Sequence, residues 1–196
     1  MNDHRSLVPL SKLLRLDLDR VAIDASETYP MVGILSFGRG LFRREAVPGH
    51  GTSYKFFYRL RPGQVVLSQL FGWEGAVAFC PEEFSGMFVS PQFPTFCSDS
   101  NVVDSKFLAI LLNRRVLWEQ LERKAKGMGD RRRTVSASAF LECLVPLPPL
   151  SEQVRIATFS IGLASLLGEA EVELKRIASI HSALIEKELQ SLRSPS

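Results

Sequence analysis

Residues 145–159 read VPLPPLSEQVRIATF, and the change of character inside that stretch divides the chain in two. Pro146, Pro148 and Pro149 exclude a helix, because each ring fixes φ and removes an amide donor. From Ser151 onward the pattern is helical almost to the end, with no proline before Pro195 and only Gly162 and Gly168 as glycines. Ser151 is the expected N-cap, and Glu152 lies in the first turn near the positive end of the helix dipole, although Val154 stands where a full capping box would carry Glu or Gln.

Within the helical segment Ile156, Leu163, Ala170, Ile177 and Leu184 recur at sevens, with Leu167, Leu174 and Ile180 falling between them. That is the seam of a coiled coil, though not a clean heptad repeat. A helix of about forty residues is about 60 Å long at 1.5 Å per residue. About fifteen large apolar side chains lie along it, each worth on the order of 1.5 to 3 kcal/mol when fully buried. One small domain cannot cover them all, so a second long helix is expected, from another copy or another protein. The alternative is a break near Gly162 or Gly168 that folds the segment back as a hairpin. On either reading the prolines stiffen the exit from the preceding domain and set the angle at which the helix departs.

Before the prolines the organisation is different. From Tyr29 to Phe96 short β-type runs alternate with turns: MVGILSF then GRG, SYKFFYRL then RPG, VVLSQLF then GWEG, AVAFC then PEEFSG, MFVS then PQFPTF. This spacing predicts a twisted, mainly antiparallel sheet or partial barrel. Asp104 opens one predicted helix, SKFLAILLNRRVLWEQLERKA, whose core stripe is Phe107, Leu108, Leu111, Leu112, Leu117 and Leu121. The segment TVSASAFLECLVPL then returns toward the sheet. The expected fold class is therefore α+β, with a domain over 1–150 followed by a long helical, coiled-coil-forming region over 151–196.

Composition narrows the functional classes. With 45% hydrophobic and 23% charged residues the chain has the balance of a globular protein, and its short, charge-interrupted apolar runs predict no membrane span. MNDHRSLVPL has neither the apolar core nor the cleavage site of a signal peptide, so a cytoplasmic location is expected. Cys80, Cys97 and Cys143 are odd in number and far apart, which suits reduced, partly buried thiols. The net charge is +3, yet residues 151–196 hold five Lys/Arg against six Glu, so the basic excess belongs to residues 1–150.

That excess is concentrated in two places. Residues 123–133 carry Arg123, Lys124, Lys126, Arg131, Arg132 and Arg133 around Gly127 and Gly129 with Asp130 as the one acid, and FGRGLFRRE carries Arg39, Arg43 and Arg44 beside glycines. Such clusters repel themselves unless an anion is bound or solvent screens them, and both readings stand on charge alone. Trp73 and the phenylalanines alternate within strand-like runs, which places them in the core rather than on stacking platforms.

Signatures of catalysis are missing. The sequence has no NPPY or DPPY motif, no GxGxxG loop, no Walker A, no PD-x-x-K pattern and no GxSxG elbow, while His4, His50 and His181 are isolated. No catalytic residue, cofactor or metal site is expected.

The run VPLPPLSEQVRI resembles the PLPPL-x-EQ-x-x-I signature of specificity (S) subunits of type I restriction-modification systems, where a target recognition domain ends and a helix begins. GRGLFRRE, YKFFYRLRPGQVV, QLFGWEGAVA, VSPQFPTF and KGMGDRRRTV resemble the same family in the same order. Such subunits usually carry two recognition domains and two helical spacers, so this chain resembles one half. The resemblance implies a non-catalytic subunit whose residues 1–150 read one half-site of double-stranded DNA. It further implies helices that pair antiparallel, set the half-site spacing and dock methyltransferase subunits and, through them, restriction subunits; the apolar seam, needing a partner, adds the expectation of a homodimer through the C-terminal helix. The candidate DNA contacts are Arg39, Arg43, Arg44, Lys55, Lys124, Lys126, Arg131, Arg132 and Arg133. The candidate partner seam is Ile156, Leu163, Leu167, Leu174, Ile177 and Leu184. A scaffold acting through its coiled coil without reading DNA is the alternative; a stand-alone nuclease or methyltransferase is disfavoured by the missing motifs.

Overall fold

The computed structural model of the chain describes residues 7–127 and 133–191. Its strands are β1 (Leu7–Pro9), β2 (Leu14–Leu16), β3 (Arg20–Ala22), β4 (Thr28–Tyr29), β5 (Val32–Ile34), β6 (Leu41–Arg43), β7 (Val47–Pro48), β8 (Phe56–Arg59), β9 (Val65–Leu67), β10 (Val77–Phe79), β11 (Phe88–Val89), β12 (Thr95–Ser98) and β13 (Leu144–Pro146). The helices are α1 (Ser105–Leu112), α2 (Arg115–Lys124), α3 (Ala137–Leu141) and α4 (Leu150–Ser191). The fold is α+β: several antiparallel sheets that do not close into a barrel, and a long C-terminal helix. The residues divide into two compact units at Val154–Arg155.

Four strands in the order β10-β9-β12-β2 form the largest sheet. β9 is its centre: Val65, Val66 and Leu67 are all fully buried, as a short unbroken apolar run requires when both faces are covered. Gln64, just before β9, is buried as well, and its amide is fully used. Its Oε1 accepts from the Arg61 N–H at 2.8 Å, while its Nε2 donates to the Asp17 carboxylate at 2.7 Å and the Asp17 carbonyl at 3.1 Å. Arg61 forms an ion pair with the same carboxylate, and the Thr95 hydroxyl donates to the Asp17 carbonyl. A second sheet, β11-β8-β3, packs Tyr29 edge-on between Phe57 and Phe88, with ring centroids 5.3 and 5.1 Å away.

The single helix expected from Asp104 is two helices. Asp104 does cap the first, accepting from the Phe107 N–H at 2.9 Å. The chain then breaks at Asn113–Arg114, where Arg114 is extended. The indole of Trp118 donates to the Leu112 carbonyl at 2.8 Å and so occupies an acceptor that a continuing helix would have used. Both pieces still bury their leucines and Phe107.

The proline stretch closes the first unit. β13 pairs antiparallel with β1, with Pro146 opposite Leu7 and Pro9 opposite Leu144, so the prolines sit at strand ends where a missing donor is tolerated. The Gln120 side chain bonds both backbone groups of Leu144, each at 2.8 Å. The last helix begins at Leu150, one residue before the expected cap: the Pro149 carbonyl accepts from the Glu152 and Gln153 N–H groups at 2.9 and 3.0 Å, which leaves Ser151 inside the first turn. α4 runs unbroken through Gly162 and Gly168, so the hairpin alternative is not taken. Two isolated glycines cost a helix only about 1 kcal/mol each relative to alanine. No helix among the described residues is long and apolar enough to cross a membrane.

Cys80 and Cys143 are buried and free, and burial pushes each thiol from an ordinary 9.0 up to about 11. Cys97 is half-buried and accepts from Arg15 Nε at 3.0 Å. At pH 8 iodoacetamide is expected to label Cys97 in the native protein and to reach the other two only after denaturation, as peptide mapping will show. Because the folded-state values lie above the unfolded ones, the two buried thiols hold their full contribution to stability below about pH 9. That contribution is lost as pH rises through about 11.

Candidate nucleic-acid interface

The hairpin of β5 and β6 pairs Val32 with Arg43, Gly33 with Phe42 and Ile34 with Leu41, burying Val32 and Ile34 and turning Phe42 and Arg43 outward. At its tip the Leu35 N–H bonds the Gly40 carbonyl at 2.9 Å, and Arg39 Nε bonds the Ser36 carbonyl at 3.0 Å. The Arg39 guanidinium is thereby held at the tip and remains exposed. Arg43 is committed within the fold: Nη2 donates to the Glu83 carbonyl at 2.9 Å, Nη1 reaches Met87 Sδ at 3.3 Å, and the guanidinium lies 5.6 Å from the Phe84 ring. Arg44 and Lys55 are exposed and make no side-chain hydrogen bond or ion pair among the described residues.

The second basic segment has a defined neck. Lys126 and Thr134 exchange backbone hydrogen bonds at 2.9 Å in each direction, bringing the ends of the loop together. Lys124 lies 2.9 Å from the Glu142 carboxylate and Arg133 lies 3.6 Å from that of Glu122. The anions that the cluster needs are therefore supplied in part by the protein, and the Lys124 hydrogen bond holds the Glu142 carboxyl below its usual range. Lys126 is exposed, and Arg131 and Arg132 lie outside the described residues.

The two basic segments, far apart in sequence, meet at the Gly72–Glu74 turn. The Phe37 N–H donates to the Glu74 carbonyl at 2.8 Å and the Ser36 hydroxyl to its carboxylate at 2.7 Å, while the Arg133 guanidinium lies 5.7 Å from the ring of Trp73. At the turn itself the charges are the Arg133 guanidinium and the Glu74 carboxylate, and the two segments that reach it carry the exposed Arg39 and Lys126, groups chemically suited to phosphate oxygens.

Sequence reasoning missed two further exposed arginines. Arg20 stacks 3.7 Å above Phe56, and Arg59 lies 5.9 Å from Phe88, its direct cross-strand partner. Neither pairing is visible without the strand register. The expectation that Trp73 and the phenylalanines form the core holds for Phe57, Phe84, Phe96, Phe107 and Phe140; it is corrected for Phe37, Phe42, Phe71 and Phe159, which are exposed, and for Trp73, which is half-buried. Turn and hairpin positions carry no alternation from which burial can be read.

The second unit, Arg155–Ser196, shows an apolar face without cover. Leu163, Leu167, Leu174, Ile177 and Leu184 are all exposed, each between 47% and 66%, and Ile156 is half-buried.

No protein-family model matches the sequence, and no curated protein does. Solved structures do match. The HsdS subunit from Thermoanaerobacter tengcongensis aligns with a TM-score of 0.68 and 23% identity over 85% of this chain and 43% of its own. A chain from a structural study of complex assembly and conformational transition in the type I R-M system aligns with a TM-score of 0.71 and 22% identity over 97% of this chain and 49% of its own. This is the fold of an HsdS specificity subunit. The resemblance drawn from VPLPPLSEQVRI and the ordered upstream segments is thus matched in three dimensions. The chain spans about half the length of these HsdS-fold relatives. Within the fold, both basic segments belong to the unit ending at Val154, and the exposed apolar seam to the helix beyond it.

Proposed function

We propose that this chain is a non-catalytic DNA-specificity subunit of a type I restriction-modification complex. The domain over 1–150 reads one half-site of duplex DNA. Residues 151–196 pair with the same helix of a second copy, set the half-site spacing and dock methyltransferase subunits, through which restriction subunits join. The observation that carries this reading is the meeting of the two basic segments at the Gly72–Glu74 turn, on a fold shared with specificity subunits. Arg39, Arg44, Lys55 and Lys126 are assigned to phosphates or bases as groups held ready. Arg43, Lys124 and Arg133, already engaged by protein partners, are assigned to shaping the surface and to contacts that must compete with those partners.

The test is a salt series. Duplexes selected from a randomised library by the wild-type chain are titrated with the wild type and with the Arg39→Ala, Arg44→Ala, Lys55→Ala triple variant. The log-log slope is expected to fall by about 0.9 for each phosphate contact removed, or roughly 2 to 3 in all. An unchanged slope removes these three residues from the interface. Failure to select any sequence favours the scaffold reading, for which the exposed seam of α4 is the supporting observation. Co-purification with a methyltransferase subunit, followed by sequencing of methylated sites, tests the partners.

A further inference from the structure

The tip of the β5–β6 hairpin goes against the usual preferences of its residues. Phe37 has φ 61° and is the one non-glycine in the left-handed region among the described residues. A bulky L-residue adopts that conformation only when its surroundings impose it. Its ring is also 61% exposed, so the chain carries a strained backbone in order to hold an aromatic side chain in water.

The surroundings that impose this are specific. The Phe37 and Gly38 N–H groups donate to the Glu74 and Gly75 carbonyls at 2.8 and 3.2 Å. Gly38, at φ 65°, lies so close to the α1–α2 junction that a Cβ there would stand 2.3 Å from Asn113 Oδ1; a Cβ on Gly75 would stand 2.5 Å from the Trp118 ring. Trp118, whose indole bond to Leu112 ends α1, also meets the Phe37 ring edge-on at a centroid distance of 6.3 Å. The tip is thus seated on two glycines and a tryptophan and has little room to relax. Arg39 is tied to Ser36 in the same turn, and residues 35–44, LSFGRGLFRR, carry three arginines and no acid.

Building on the DNA-reading function above, we propose that Phe37 is a base-contacting residue. Its ring enters a groove of the duplex and packs against base edges, while the Arg39 guanidinium in the same turn holds a flanking phosphate. Arg39 supplies one exposed guanidinium in the same turn, and the Glu74 carboxylate is engaged by Ser36. An exposed aromatic group beside a guanidinium complements apolar base edges bordered by phosphates, and base edges, unlike phosphates, carry sequence information. A ring already fixed in place also loses little conformational freedom on binding.

Phe37→Gly and Phe37→Asn test this, since both replacements accept a positive φ. Neither removes a charge. Relative to the wild-type chain, both are expected to bind the library-selected duplex about ten- to a hundredfold more weakly, the range of a lost base contact. Binding to a scrambled duplex and the salt slope should not change, and Phe37→Gly is expected to melt no lower than wild type because strain is relieved. Unchanged affinity and selectivity in both variants would overturn the role of Phe37 while leaving the DNA-reading function standing. Equal weakening on selected and scrambled duplexes, or loss of methyltransferase-subunit binding with DNA binding intact, would also overturn it. A wild-type chain that selects no duplex sequence would instead overturn the DNA-reading function itself.

Discussion

Replacing Ile177 and Leu184 by glutamate is expected to convert the chain from dimer to monomer in light scattering at micromolar concentration, with the melting of the unit before Val154 unchanged. Both side chains are more than half exposed in the isolated chain, so neither substitution removes an internal contact of consequence. In a two-fold helix pair each change occurs twice. Four apolar side chains then leave the interface, each worth on the order of 1.5 to 3 kcal/mol if fully buried, and four carboxylates are set against an apolar seam. Even half the lower figure for each amounts to about 3 kcal/mol, or about a hundredfold in dissociation constant. A wild-type chain that is monomeric at the same concentration would sink the pairing outright. If the pairing holds, two identical reading units related by a two-fold axis require an interrupted palindrome as target. An asymmetric bipartite site from methylome sequencing would mean that a different specificity chain supplies the other half.

The second large effect falls on Gln153, the glutamine of the PLPPLSEQ run. It is only 1% exposed, and its side chain joins three separate backbone groups. Oε1 accepts from the Asp104 N–H at 2.9 Å, and Nε2 donates to the carbonyls of Pro148 and Val102 at 2.8 and 3.1 Å. Asp104 is in turn the cap of α1, so one amide ties the first turn of α4 to the start of α1 and to the proline stretch. Gln153→Leu keeps much of the volume and leaves all three groups without that partner. At about 1 to 3 kcal/mol for each group left unsatisfied, the loss is roughly 3 to 9 kcal/mol, a fall in Tm of at least about 10 °C for a chain of this size. Ser151→Ala is the contrasting control. The sequence suggested a capping role worth about 1 kcal/mol for Ser151, whereas its place inside the first turn predicts a change within about 0.5 kcal/mol. Equal melting of Gln153→Leu and wild type would show that the amide is dispensable.

The order of the strand-like runs was legible because apolar runs and turn residues are neighbours in the chain. MVGILSF, SYKFFYRL, VVLSQLF, AVAFC and MFVS contain β5, β8, β9, β10 and β11 respectively. The candidate surface was legible only as charge. Nothing in ERKAKGMGDRRRT distinguishes Lys124, which Glu142 engages, from Lys126, which stays exposed, because the deciding carboxylate is eighteen residues away in sequence.

By itself the sequence determined the long last helix and its seam, since a helix is closed by bonds four residues apart and a repeat in side chains reports the face they share. Only the tertiary structure decided the pairing of β1 with β13, the break at Asn113, the engagement of Arg133 by Glu122 and the left-handed Phe37. Each of these is set by a group or strand that no helical or strand periodicity reports: Val145 opposite Val8, the Trp118 indole on the Leu112 carbonyl, Glu122 across the basic loop, and the Glu74–Gly75 carbonyls under the hairpin tip. Local periodicity records the bonds that a segment makes with itself. It holds no trace of a hydrogen bond or ion pair whose other half arrives from elsewhere in the fold.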